Sequence, residues 1–293
     1  MVHLKTAILM KKEKKLASTM KFVYRILLPG LLAIILTACQ PPAGSYREVR
    51  IPLTGRAGQT LQAFVYTPAG DAKHDVVILS QGSSGGNPKV SEPMETQARY
   101  FVEKGYIVVV PMRKGRGTSD GLSMESEVKN CDVTSWLPGI DSALDDVSAA
   151  IEYADTVPGS NHRIILAGVS RGGYLSVAYG ARGKYKDRVA AVISFAGSWV
   201  AQSEDQCPDD FNLVSFTEIG AMKNPPNLWL YADNDGFNDA ASIKKYYAGF
   251  NHSDPQRRMV MYSGLPGNGH FIADHRDIWE KDVTLFINSV INK

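Results

Sequence analysis

From residue 75 onward the chain alternates short, almost wholly apolar runs with amphipathic stretches long enough to be helices. The runs at 75–79, 106–110, 163–167, 189–194, 227–231 and 258–262 suit strands covered on both faces, because a strand with one wet face would alternate apolar and polar residues. Between them, 92–104 is amphipathic and stops at Gly105, and 140–156 places Ala143, Leu144, Val147, Ala150, Ile151 and Ala154 on one helical face. Further helical stretches are expected at 171–181, 239–249 and 276–291. Repeated strand–helix units of this kind close as a mostly parallel sheet with helices on both faces. Ahead of them, 46–53 and 60–67 alternate around GRAG at 55–58, which predicts an antiparallel hairpin. The expected class is therefore α/β, in one domain over 46–293, since neither a repeat nor a low-complexity linker interrupts that segment. Sheets of this type bind ligands at the carboxyl ends of their strands.

The first 38 residues stand apart. They hold seven Lys or Arg, one acid, and an apolar stretch from Ile26 to Leu36 broken by Pro29 and Gly30. That stretch has the length of a signal-peptide core and is well short of the ~20 residues a bilayer span needs. It ends in LTAC at 36–39, which resembles the lipobox of bacterial lipoproteins. The resemblance implies cleavage before Cys39 and acylation of Cys39, which would anchor the protein in a lipid bilayer. Gln40 resembles the sorting pattern for the outer membrane, so the expected place is its periplasmic face. Residues 39–45 read as a tether, and Met20 would start a leader of ordinary proportions. Without residues 1–38 the chain has 25 basic and 29 acidic residues, net −4 against +2 for the whole. A mildly acidic protein of this kind gives no reason to expect a nucleic-acid partner.

The string GVSRG at 168–172 falls where the run 163–167 gives way to a helix. A strand-to-helix turn that tight holds Ser170 in a strained conformation with its hydroxyl above the sheet edge. Side chains at positions 168 and 172 would strike neighbouring backbone, and Gly173 is expected to loosen the helix start. A serine hydroxyl is inert at neutral pH without a base, so a histidine and an orienting acid are required. Asp233 and Asp235 follow the run 227–231, and His270 sits in the glycine-rich loop LPGNGHF at 265–271. Counting from the strand end favours Asp235, with Asp233 as a turn or capping residue. His74 and His162 precede strands at the opposite edge, His252 lies in a polar loop, and His275 starts the last helix. No histidine pair combines metal-ligand spacing with a convincing context, so no metal is expected, and no cofactor.

In this order of Ser170, Asp235 and His270, each after the expected strand, the sequence resembles the α/β-hydrolase superfamily and within it the dienelactone-hydrolase-like group, over roughly 60–290. The resemblance implies ester hydrolysis through an acyl-enzyme. It also makes SQGSSGG at 80–86 the oxyanion loop, with the N–H groups of Ser83 and Arg171 as donors; one such donor is typically worth about 3 kcal/mol. Two departures matter. Gln81 stands where the usual loop has His, and Ser170 stands where dienelactone hydrolases proper carry cysteine, so the resemblance implies serine-esterase chemistry on small or medium esters and carries no inference to dienelactone as substrate. The elbow also resembles that of prolyl-oligopeptidase-type peptidases, leaving peptide or thioester cleavage open, as well as an inactive envelope binding protein. Segments 111–138 and 197–222 leave from carboxyl strand ends and are expected to overhang Ser170 as lid-like insertions. Cys131 and Cys207, one on each, would form a disulfide in an oxidising compartment, worth on the order of 4 kcal/mol. Arg113 and Arg116 are read either as a grip for a substrate carboxylate or as an exposed basic loop. Nothing in the sequence speaks to oligomeric state.

Overall fold

The computed structural model describes residues 45–83, 87–123, 125, 133–201 and 210–291. The chain divides into two compact units, residues 1–42 and 43–293, and every described residue belongs to the second. The leader, Cys39, and the proposed pair Cys131 and Cys207 lie outside the described residues.

The order is β1 (Tyr46–Pro52), β2 (Thr60–Tyr66), β3 (His74–Ser80), α1 (Glu95–Glu103), β4 (Ile107–Pro111), α2 (Leu137–Ala154), β5 (Ser160–Val169), α3 (Arg171–Arg182), β6 (Val189–Phe195), α4 (Phe211–Gly220), β7 (Asn227–Ala232), α5 (Ala240–Asn251), β8 (Arg257–Tyr262) and α6 (Arg276–Ile291). The strands form one sheet in the order β1-β2-β4-β3-β5-β6-β7-β8. The β1–β2 and β2–β4 pairs are antiparallel and all others are parallel. This is the α/β-hydrolase arrangement, with its antiparallel start and its parallel body.

Register decides which loops meet. Ser80 pairs with Gly168 and Gly168 with Ser194, so β3, β5 and β6 end level at their carboxyl edge. Ala232 at the end of β7 pairs with Tyr262 at the end of β8. The strand interiors are wholly buried, as the apolar runs require: Val76, Val77, Ile78 and Leu79 in β3 and Val108, Val109 and Val110 in β4 have no exposed surface. Aromatic rings lock the helices to the sheet. Trp229 of β7 stacks on Phe250 of α5 at 4.7 Å and meets Phe216 of α4 at 4.6 Å. Trp279 of α6 packs edge-on against Phe195 of β6 and Tyr100 of α1.

Three elements depart from the sequence reading. Helix α1 begins at Glu95 and not at 92, because Pro93 disfavours helix in the residue before it and Met94 takes a left-handed φ of 52°. Helix α2 begins at Leu137, with Pro138 in its first turn, where a missing N–H costs nothing. Segment 197–222, expected as a lid-like insertion, contains α4, a crossover helix of the kind that parallel neighbours β6 and β7 require. Trp199, Phe211 and Phe216 are core residues. The helix escaped the periodicity test because its inward face includes Asn212, Ser215 and Gly220 beside Phe211, Phe216 and Ile219.

Candidate active site

Ser170 sits between β5 and α3 with φ 55° and ψ −123°, a backbone conformation that a non-glycine residue keeps only when its surroundings enforce it. Here the enforcement is local. Ser170 N–H donates to Phe195 O at 2.8 Å, and Ser170 O accepts from Tyr174 N at 3.0 Å and Ser198 N at 3.2 Å. The flanking glycines allow the close approach. A Cβ on Gly168 would lie 2.2 Å from Gly172 O, and one on Gly172 would lie 2.1 Å from Ser80 O. Gly173 does not loosen the helix: its Cβ would fall 2.7 Å from Ser194 Oγ and 3.0 Å from Gly197 Cα, so glycine there lets α3 press onto the end of β6.

His270 lies in a 3-10 turn, Gly269–Asp274, after β8. Asn268 joins this turn to the loop after β7, its Oδ1 accepting from His270 N at 2.9 Å and from Gly236 N at 2.8 Å. Across that joint His270 Nδ1 stands 2.9 Å from Asp235 Oδ2 and 3.1 Å from Asp235 Oδ1. Against an ionised carboxylate Nδ1 is the donor, and in the neutral ring that tautomer leaves Nε2 as the acceptor. The pair is dry, with the side chain of Asp235 0% and that of His270 8% exposed. Asp235 Oδ1 also accepts from Phe237 N at 2.8 Å and Asn238 N at 3.1 Å, which hold the carboxylate toward the histidine. Asp233 is exposed and accepts from Gly264 N at 3.3 Å. Of the two acids, Asp235 is the one that meets His270. Among the described residues no hydrogen bond joins Ser170 Oγ to His270.

The remaining histidines are elsewhere. His74 and His162 lie within β3 and β5, bonded to Gly105 O and Asp155, His252 ends α5, and His275 precedes α6. No cluster among the described residues could hold a metal ion, and no helix among them is long and apolar enough to cross a membrane.

The loop after β3 passes over the serine. A Cβ on Gly82 would lie 3.2 Å from Ser170 Cβ, so the backbone leading to Ser83 runs beside Ser170. Arg171 opens α3, where the helix dipole favours negative charge.

The dienelactone hydrolase family model matches residues 61–284. The chain belongs to that family. It is accordingly a hydrolase. The fold agrees with solved hydrolases at low identity. An esterase from Pyrococcus furiosus is 13% identical over 84% of this chain and 91% of its own, with a TM-score of 0.61. An α/β serine hydrolase from Xanthomonas campestris is 18% identical over 85% and 95%, TM-score 0.57. Est1E from Butyrivibrio proteoclasticus, solved with ferulic acid bound, is 17% identical over 84% and 100%, TM-score 0.61. No curated protein sequence matches.

In this member of the dienelactone hydrolase family the basic loop after β4 is neither exposed nor open to a substrate. Arg113 is 1% and Arg116 2% exposed, and both hold Glu125. Lys114 is buried against Asp146, which also accepts from Lys114 N at 2.8 Å. Burial opposes ionisation of Glu125, yet the guanidinium groups of Arg113, Arg116 and Arg171 hold its carboxyl down at about 2. Burial raises Asp146 to about 6 in spite of Lys114. Glu125 escaped sequence reasoning. The signal available was the unmatched charge itself: a buried basic loop must recruit acids.

Proposed function

We propose that the chain is a lipid-anchored serine hydrolase that cleaves carboxylic esters of small or medium size through an acyl-enzyme. Ser170 Oγ attacks the carbonyl carbon while His270 Nε2 takes its proton, and Asp235 keeps the imidazole in the required tautomer. The carbonyl oxygen becomes an oxyanion that accepts from the N–H groups of Ser83 and Arg171. Collapse breaks the ester C–O bond, and the departing alkoxide leaves as the alcohol with the proton from His270. A water then gives its proton to His270 and attacks the acyl-enzyme, freeing the acid and Ser170. The observation that carries the reading is the dry Asp235–His270 pair, 2.9 Å apart, at the same sheet edge as a serine held at positive φ.

The test is fluorophosphonate labelling of a form beginning at Gln40, compared with Ser170→Ala and His270→Ala. Labelling that survives Ser170→Ala, or is absent from folded wild type, overturns the reading. The anchor rests on the string at 36–39. Its consequence is that Cys39→Ser moves the protein from the membrane fraction to the soluble fraction and abolishes incorporation of an alkyne-tagged fatty acid. The expected location is the periplasmic face of an outer membrane.

A further inference from the structure

The carboxylate of Glu125 is enclosed by arginines. Arg113 donates through Nε and, at 3.1 Å, through Nη2. Arg116 donates through Nε at 3.1 Å and Nη2 at 2.8 Å, and Arg171 Nη1 stands 3.7 Å away. The rest of the Arg113 fork points elsewhere: Nη1 donates to Gln81 O at 2.8 Å and Gln81 Oε1 at 3.2 Å, and Nη2 to Gly82 O at 3.2 Å. Gly82 O and Ser83 N–H belong to one peptide plane. In a trans peptide the two point in opposite directions, so a donor that pins Gly82 O also sets the direction of Ser83 N–H. The same bond polarises the peptide and strengthens that N–H as a donor. On the other side, Arg171 supplies the second N–H of the proposed hole. Its side chain is held by Trp199 O at 3.0 Å, by the Trp199 ring at 5.0 Å and by Glu125.

We propose that Glu125 and Arg113 are positioning residues for the oxyanion hole: Glu125 locks the Arg113 fork, the fork orients the peptide between Gly82 and Ser83, and Glu125 also tethers Arg171, so that one buried carboxylate aligns both donors. This rests on the serine hydrolase reading above. It differs in sign from a purely electrostatic role. If the arginines acted only as a cationic field on the oxyanion, removing the negative charge of Glu125 would raise activity. Positioning requires that activity fall.

The experiment uses the full protein purified in detergent, with p-nitrophenyl acetate as substrate and phenylboronic acid as the probe, since boron adds to a serine oxygen as a tetrahedral anion that occupies the hole. The variants are Glu125→Gln, Glu125→Asp and Arg113→Lys, which keeps the charge but loses the planar fork, with Ser170→Ala alongside. The expected result is a fall in kcat of about 30-fold for Glu125→Gln and Arg113→Lys, with KM changed by less than about twofold and boronate affinity weakened by the same factor as kcat. Partial recovery is expected in Glu125→Asp. Should Glu125→Gln fail to fold by thermal melting, Arg113→Lys decides alone. Folded variants with wild-type or higher kcat overturn the positioning role while Ser170→Ala is inactive. Turnover persisting in Ser170→Ala overturns the underlying reading instead.

Discussion

Replacing Gly172 by alanine tests how the turn at Ser170 and the loop after β3 depend on each other. The new Cβ would stand 2.1 Å from Ser80 O and 2.5 Å from Gln81 O. Methyl-to-oxygen contact needs roughly 3 Å, so the end of β3 must retreat by about 1 Å. No side-chain rotation can absorb that shift, because all the atoms concerned are backbone, and Ser80 is paired with Gly168 across β3 and β5. Overpacking of this type costs about 1–3 kcal/mol, and disturbing one or two sheet hydrogen bonds adds about 1 kcal/mol each. Alanine's better helix propensity returns about 1 kcal/mol. The net is about 3 kcal/mol, or about 6–12 °C in Tm for a domain of this size. The same retreat carries Gly82 and Ser83 away from Ser170, so the rate of fluorophosphonate labelling is expected to fall about 100-fold. Gly70→Ala is the control. It sits at φ +94° with nothing within 4 Å of the added Cβ, so it carries only the conformational cost of about 1–2 kcal/mol and should label normally. Urea denaturation and labelling kinetics on the two variants give both numbers. If Gly172→Ala is as stable as Gly70→Ala, or labels at the wild-type rate, the contact does not hold the two loops in the way described.

Other consequences can be measured directly. Asp235→Asn should lower kcat/KM for a p-nitrophenyl ester by about three to four orders of magnitude, while Asp233→Asn leaves it within a few-fold; equal losses would remove the distinction between the two acids. Glu125 is depressed from 4.5 to about 2, so its contribution to stability is complete above pH 4.5 and is lost as pH falls toward 2. That loss is on the order of 3 kcal/mol, and Glu125→Gln should flatten the acid limb of the stability–pH curve; an unchanged limb refutes the assignment. Lys114→Met should cost about 3–5 kcal/mol by stranding buried Asp146, and adding Asp146→Leu should restore most of it, as read by denaturant midpoints.

The sequence by itself determined the backbone periods, and with them the class of fold. Apolar runs at 75–79 and 227–231 became β3 and β7 with their ends moved by a residue, and 276–291 became α6 unchanged. Ser170 and His270 were legible for the same local reason: a serine between glycines at a strand end, and a histidine in a glycine-rich loop, announce their turns within a few residues. Tertiary structure decided what depends on distant partners. Asp233 and Asp235 share one turn and differ only in which of them faces a histidine 35 residues further along. The inward face of α4 carries Asn212 and Ser215, so its period became visible only once Asn212 was seen bonded to Trp199 N and Val200 O, and Ser215 to Tyr174. Most of all, Arg113 and Arg116 read as a grip for a substrate carboxylate or as an exposed basic loop, because an arginine is almost never buried alone. Only Glu125, which meets both arginines, and Asp146, which meets Lys114 between them, let this loop be buried. A local pattern reports the period of its own backbone, whereas the burial of a charge is set by what the rest of the fold brings against it.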